Sequence, residues 1–448
     1  MMGAIKVCLI GQVLVDVTFL GSGREPKLRL GGIAHAARAL WAMDTSFVLA
    51  YFAPEYLDAN IYLFAESHGN ASVHKVGNVL GSPNVVTIGE PTEAGPQGYQ
   101  FLLRDEHRTI INHKALAQVC LDREITDYII FPGGFDVSSV LTAVGQTTAD
   151  IHIDANYQPD DPSEFSALGR SFSTIMLSTS SEVFKSRYRG SVSNLCDTLL
   201  GGFADAVLFK ENRGGTRYFP AHSRQSVIRT SSQTRPILHS VGVGDCFDAV
   251  YVVNRRSMEV KTALAYSSFI AAEYACTTHP DDFRDATRAA FQITKEDIVQ
   301  LSGVSLSWED RPQCHIYIAA PDFQHVERGP IEQLVSCLSY HNFSPRRPVL
   351  ENGEMGLNAE PQRKQMLCDA DVSLMDECRI MVAVLLYDDP GTLIEIGMAV
   401  QREMPVIVYD PYGHAENLML TQLPHLVSSS LDEVISAVFK HASKGKSQ

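Results

Sequence analysis

Asp388-Asp389-Pro390-Gly391-Thr392-Leu393-Ile394-Glu395 brings three carboxylates into one short run near the C-terminal end of the chain. The apolar segment 380–386 leads into it, and helical periodicity and a second apolar strand, 405–409, follow. A strand, an acidic Gly-Thr turn and a helix put such carboxylates at the C-terminal edge of a parallel sheet, where open α/β sheets bind ligands. Glu395 there is either a nucleophile or a first-turn helix residue favoured by the helix dipole.

A second run, Val241-Gly242-Val243-Gly244-Asp245-Cys246-Phe247-Asp248, precedes a helix rich in small and apolar residues. Two glycines allow a tight turn that points successive N–H groups at one spot, and the helix N-terminus adds its partial positive charge. This is the chemistry of a phosphate site, and Asp245 at its mouth can take a proton from a hydroxyl attacking a γ-phosphate. The plain alternative is a glycine turn with an Asp cap.

The elements that must position these groups alternate. Residues 4–16, 46–52, 72–76, 84–89, 128–131, 150–154, 174–178 and 205–210 read as strands, and 31–43 and 246–277 as helices. That alternation implies an α/β chain with a largely parallel sheet covered on both faces. The Gly- and Pro-rich stretch Gly89 to Asn112 reads as a two-stranded flap. A polar break at Gly303 to Gln313 precedes a new strand at His315, which divides the chain into domains 1–307 and 308–448.

At 448 residues two or three domains are expected. Hydrophobic content of 45% and charged content of 20% are those of a globular protein, and no apolar run has transmembrane length. The formal net charge of -15, with no basic block, argues against a nucleic-acid or membrane-surface binder. The N-terminal residues run directly into a strand and do not read as a signal peptide, and nine scattered cysteines without a CxxC read as reduced thiols. The expected location is cytoplasmic.

In this order the motifs of residues 4–300 resemble the ribokinase (PfkB) family of sugar and nucleoside kinases. His239 to Phe247 is similar to its D-T-x-G-A-G-D-x-F signature, and Gly11 to Asp16 to its substrate-binding start. Gly31-Gly32 and the following helix match its double-glycine motif, and Asp154-Ala155-Asn156 its D-x-N. The resemblance implies a three-layer α/β/α domain with a flap, and ATP with Mg2+ as cofactors. It implies substrate contacts from Asp16, Gly31, Gly32 and His35, nucleotide contacts from Gly242, Val243, Gly244, Lys210, Asn212 and Gly214, metal at Glu182, and Asp245 as base. The chain departs from the pattern at His239, at His35, at Thr179, and at Lys210-Glu211-Asn212. An active kinase and a domain that binds a ligand without phosphoryl transfer are both compatible with those departures.

Residues 314–438 resemble nucleoside 2-deoxyribosyltransferases and the related deoxynucleoside-monophosphate N-hydrolases. Ile316-Tyr317-Ile318-Ala319-Ala320-Pro321 is similar to the family's I-Y-L-A-G-P, and Asp389 to Ala399 to its D-x-G-T-x-x-E-x-G-x-A. The resemblance implies a small flavodoxin-like or Rossmann-like parallel-sheet domain needing no cofactor. It makes Glu395 the nucleophile, and Asp371 (or Asp369) and Asp389 the groups that hold the sugar or protonate the leaving base. Tyr317 faces the base or belongs to the core, and Pro321, Gly391 and Thr392 lie at the substrate or simply form turns. Ala320 and Arg379 depart from the pattern. Together the resemblances imply a bifunctional enzyme acting on nucleosides, nucleotides or sugars, and a homo-oligomer. The alternative is a kinase-like sensor or scaffold controlling an effector that degrades nucleotides or NAD.

Overall fold

The computed structural model describes residues 5–19, 25–69, 71–223, 226–355 and 360–444. The chain divides into two compact units, residues 1–92 with 97–305 and residues 93–96 with 306–448.

Among the described residues the first unit is built on thirteen strands: β1 (Lys6–Thr18), β2 (Lys27–Gly32), β3 (Ser46–Ala53), β4 (Ala71–Leu80), β5 (Val85–Ile88), β6 (Tyr99–Phe101), β7 (Arg108–Ile111), β8 (Asp127–Phe131), β9 (Asp150–Asp154), β10 (Thr174–Ser178), β11 (Ala206–Lys210), β12 (Thr216–Pro220) and β13 (Ile228–Thr230). The main order is β13-β12-β11-β10-β9-β8-β1-β3-β4-β7, parallel from β11 to β4 with antiparallel strands at both ends. Val7 and Leu9 pack into a core with the helices Ile33–Ala42, Val243–Asn254 and Val260–Cys276. The intervening Cys8 and Ile10 are equally inaccessible, so both faces of β1 are covered, as a buried parallel strand requires. The layered α/β unit expected from the sequence is present.

Its flap differs from the sequence expectation. Gly89 to Asn112 does not form a two-stranded hairpin. β6 pairs with β5, whereas β7 pairs with β4 on the edge of the main sheet. A left-handed residue at Leu103 and the 3-10 turn Arg104–Glu106 separate the two strands. The flap consists of the outer half of β1 with β2, β5 and β6.

The second unit carries β14 (His315–Ala319), β15 (Ser344–Arg346), β16 (Ile380–Val384), β17 (Val406–Tyr409) and β18 (Leu426–Ser428). All pairings are parallel, in the order β15-β14-β16-β17-β18. This is the doubly wound flavodoxin-like order, whose direction reverses between its first and third strands, here β14 and β16. Tyr317, Met381, Ala383, Val406 and Val408 share a core with Ile396 and Ala399 from the helix Pro390–Gln401. None of the nine cysteines is in a disulfide. Among the described residues no helix is long and apolar enough to cross a membrane.

Candidate active sites

In the second unit the strand order fixes the position of the carboxylates. Tyr317 lies on β14, and the Pro390–Gln401 helix starts just beyond β16, so both approach the crevice where the order reverses. The Tyr317 ring belongs to the core, and its hydroxyl donates to Glu395 Oε1 at 2.7 Å. Burial pushes the Glu395 carboxyl up to about 7. The Tyr317 hydrogen bond opposes that rise, and the charges of Asp371 and Asp389 add to it.

Asp389 is the N-cap of its helix: its Oδ2 accepts from Thr392 N–H at 2.7 Å and Thr392 Oγ1–H at 2.8 Å. Thr392 is therefore buried as part of the cap. Gly391 fits closely under the same carboxylate, since a Cβ there would stand 3.2 Å from Asp389 Oδ2. Asp371 accepts a hydrogen bond from Asn352 Nδ2 at 2.8 Å, whereas Asp369 is exposed and bonded to Gln365. Of the two aspartates considered from sequence, Asp371 is the one whose charge reaches Glu395. Pro321 is buried after β14 and precedes Asp322, which holds Arg347 through two bonds at 2.7 and 2.8 Å. Asn352 and the Asp322–Arg347 pair carried no motif signal, because each lies far along the chain from the group it serves.

In the first unit Gly242 adopts φ 74°, and the helix Val243–Asn254 starts after it. A Cβ at Gly242 would lie 2.1 Å from the His35 ring, so only glycine admits the imidazole there. His35 bonds Asp16 Oδ2 at 2.8 Å through Nε2 and the Tyr274 hydroxyl at 2.7 Å through Nδ1. Both Asp16 and His35 are buried, and burial pushes the His35 imidazole down to about 4. Gly31 backs onto the same carboxylate, its Cβ position lying 2.2 Å from Asp16 Oδ1, and Gly32 has φ 59°.

Asp245 stands in the first turn of that helix. Burial pushes its carboxyl up to about 7, the charges of Asp154 and Asp16 adding and that of Lys210 opposing. The Lys210 ammonium lies between Asp154 Oδ2 at 3.0 Å and Asp248 Oδ2 at 2.6 Å, and 3.5 Å from the Cβ position of Gly244. Burial opposes its charge, but the two aspartates outweigh that and raise its pKa. Lys210 thus sets a positive charge beside the glycine turn, held by Asp248, which no motif had marked. Asn212 to Gly214 form a 3-10 turn after β11, with Asn212 at φ 51° and Gly214 buried.

Glu182 is exposed in the first turn of the helix Glu182–Ser186, beyond β10, on the same sheet edge as Lys210. The group of three candidate metal ligands found among the described residues does not include it. That group, Asp127, Asp150 and His152, is crossed by Arg255 and Arg256, which neutralise it as an ion cluster.

Residues 316–423 match the family model of nucleoside 2-deoxyribosyltransferases. Solved structures similar to the chain include the ribokinase of Arabidopsis thaliana complexed with ribose and ATP, 15% identical, covering 65% of this chain and all 100% of its own, with a TM-score of 0.45. An uncharacterized sugar kinase of Pyrococcus horikoshii is 14% identical, covering 66% and 99% of the two chains at a TM-score of 0.47. A phosphofructokinase-2 variant of Escherichia coli is 10% identical, covering 65% and 100% at 0.47. Comparison with curated proteins gives no match.

Proposed function

We propose that this chain is an enzyme of nucleoside or nucleotide metabolism whose C-terminal unit cleaves or transfers an N-glycosidic bond through Glu395. The observation that carries this reading is the hydrogen bond from Tyr317 to Glu395 at the strand-order reversal, inside a segment that matches the deoxyribosyltransferase family. Tyr317 engages Oε1 and orients the carboxylate, leaving Oε2 to attack the anomeric carbon. The base departs, a glycosyl ester forms, and water or a second base resolves it. Asp371 and Asp389 hold the sugar hydroxyls. The test is incubation of the full chain with nucleosides, nucleoside monophosphates and NAD, without ATP, followed by chromatography for free base. Release by wild type and not by Glu395→Ala supports the reading; no release from any member, and no base exchange when a second free base is supplied, with folded protein overturns it.

For the N-terminal unit we propose binding of a nucleotide phosphate at the Gly242–Gly244 turn, with Lys210 beside it and Asp245 as the base for phosphoryl transfer. The helix amides and the Lys210 ammonium fit an anion, and Mg2+ would neutralise charge on the phosphates with Glu182 as its protein contact. The alternative, a ligand-sensing unit without phosphoryl transfer, is favoured by Asp16, whose carboxylate is buried in its bond to His35. Mg-ATP-dependent phosphorylation of a sugar or nucleoside, lost in Asp245→Asn, separates the two.

A further inference from the structure

Arg29 is a largely buried cation that stands beside the Gly242–Gly244 turn. It lies on the flap strand β2, opposite Asp16 of β1. Its guanidinium donates to Val241 O at 3.1 Å and reaches the His239 imidazole, 3.2 Å from Nδ1 and 3.4 Å from Nε2. The His239 Nε2–H is directed at Thr277 O, 2.9 Å away, which leaves the Nδ1 lone pair to accept from Arg29. Burial and the Arg29 charge push the His239 imidazole down to about 3, so the acceptor is neutral. The guanidinium also lies 5.9 Å from the Tyr274 ring centroid. The charges of Asp16 and Arg38 act on it in opposite senses, and among the described residues no carboxylate forms an ion pair with it. A guanidinium held by a carbonyl and a neutral ring lacks the ion pair that ordinarily offsets its desolvation. The fold therefore keeps a positive charge at this turn that its own carboxylates do not neutralise.

The carbonyl that Arg29 engages is the one that orients the turn. Val243 N–H donates to Ser240 O at 3.2 Å, closing a four-residue turn with Gly242 third at φ 74°, ψ 7°. Val241 C=O and Gly242 N–H belong to the central peptide of that turn, which takes no part in the closing bond. A trans peptide is planar, so its C=O and N–H point in opposite directions. A flip of that one plane would reverse the Gly242 N–H, and glycine has the conformational freedom to permit it. Arg29 holds the C=O toward the flap strand and thereby the N–H away from it. A charge-assisted bond to the carbonyl also polarises the amide and makes it a stronger donor. Resting on the nucleotide-phosphate reading of this turn, we infer that Arg29 is a positioning residue for it: a cation carried by the flap that locks the Val241–Gly242 peptide and sets a fixed positive charge behind it. Because the guanidinium itself occupies the carbonyl, phosphate affinity depends on Arg29 and on no dissolved monovalent cation.

The experiment measures Mg-ATP binding to the full-length protein by calorimetry at constant ionic strength, with potassium, sodium or choline as the monovalent cation. Wild-type affinity should be the same in all three. Arg29→Ala should weaken binding about 10- to 100-fold, the worth of a hydrogen bond to a charged group. That variant leaves the carbonyl facing a space that a small planar cation can refill, so guanidinium chloride at low millimolar concentration should restore part of its affinity and leave wild type unchanged. Arg29→Lys keeps the charge but loses the fork, and should bind with intermediate affinity. Rescue separates positioning from folding, because guanidinium weakens folded proteins in general. No Mg-ATP binding by wild type overturns the nucleotide reading and this inference with it. Equal affinity of wild type and Arg29→Ala overturns this inference alone. Weakened binding that guanidinium does not restore assigns Arg29 to the fold and overturns its positioning role. Should Arg29→Ala fail to fold, the cation series on wild type decides: affinity that changes with the cation overturns the inference, and affinity that does not supports it.

Discussion

Glu395 is held between two opposing influences, and both can be measured. Its carboxyl is raised to about 7 by burial and by neighbouring aspartates, and the Tyr317 hydroxyl pulls it the other way. A nucleophile must be ionised, so kcat/KM should rise with pH along a limb near 7. Tyr317→Phe removes the opposing bond and should move that limb to higher pH while lowering the plateau about 10-fold or more. A limb that stays in place would show that Tyr317 serves only the core. Stability follows from the same shift. The folded-state value lies above the ordinary 4.5, so the folded protein holds the proton more tightly than the unfolded chain. Stability is lost as pH rises from about 4.5 through 7. Glu395→Gln should therefore leave acid stability unchanged and add about 3 kcal/mol at pH 8, read by denaturant melts at pH 4 and pH 8. The sequence marked Glu395 through its motif. It named Asp371 ahead of Asp369 by motif alone; two residues apart on a helix they point to different sides, and packing shows that Asp371 is on the side that faces the site.

At the scale of elements, the two helix entrances that build the sites are secured differently. The Pro390–Gln401 helix depends on the Asp389 cap, so Asp389→Ala should cost about 1 kcal/mol in thermal or denaturant unfolding, besides any effect on substrate binding. The Val243–Asn254 helix depends on a glycine in the left-handed region pressed against an imidazole. Gly242→Ala places a Cβ into His35 and should destabilise the protein by roughly 1–3 kcal/mol, read by denaturant unfolding. The central parallel strands were legible because fully buried strands are continuous apolar runs with turn signals between them, whereas β12, β13, β15 and β18 carry no such run and were not read as strands. The flap was not. β2 turns back on β1, and β6 and β7 pair with different strands, β5 and β4, a choice that no local pattern encodes.

Across the whole molecule the formal charge of -15 sets a negative field that acts on any charged ligand before contact. Raising ionic strength screens it over a distance of about 10 Å at 0.1 M. The kcat/KM for a nucleoside monophosphate should rise or stay flat as salt is raised. A falling slope, read in steady-state assays from 20 mM to 300 mM salt, would exclude a long-range contribution from net charge. The sequence by itself determined the α/β class and the motifs around Asp245 and Glu395, since these rest on hydrophobic periodicity and short spacings within single elements, while the flavodoxin-like or Rossmann-like C-terminal sheet was what the family resemblance implied. Only the tertiary structure decided that His35 closes on Asp16, that Lys210 is held by Asp154 and Asp248, and that Asn352 holds Asp371. The reason is physical: burial and charge pairing are properties of three-dimensional neighbourhoods, joined across 19 to 56 positions of chain, and sequence spacing carries no distance at that range.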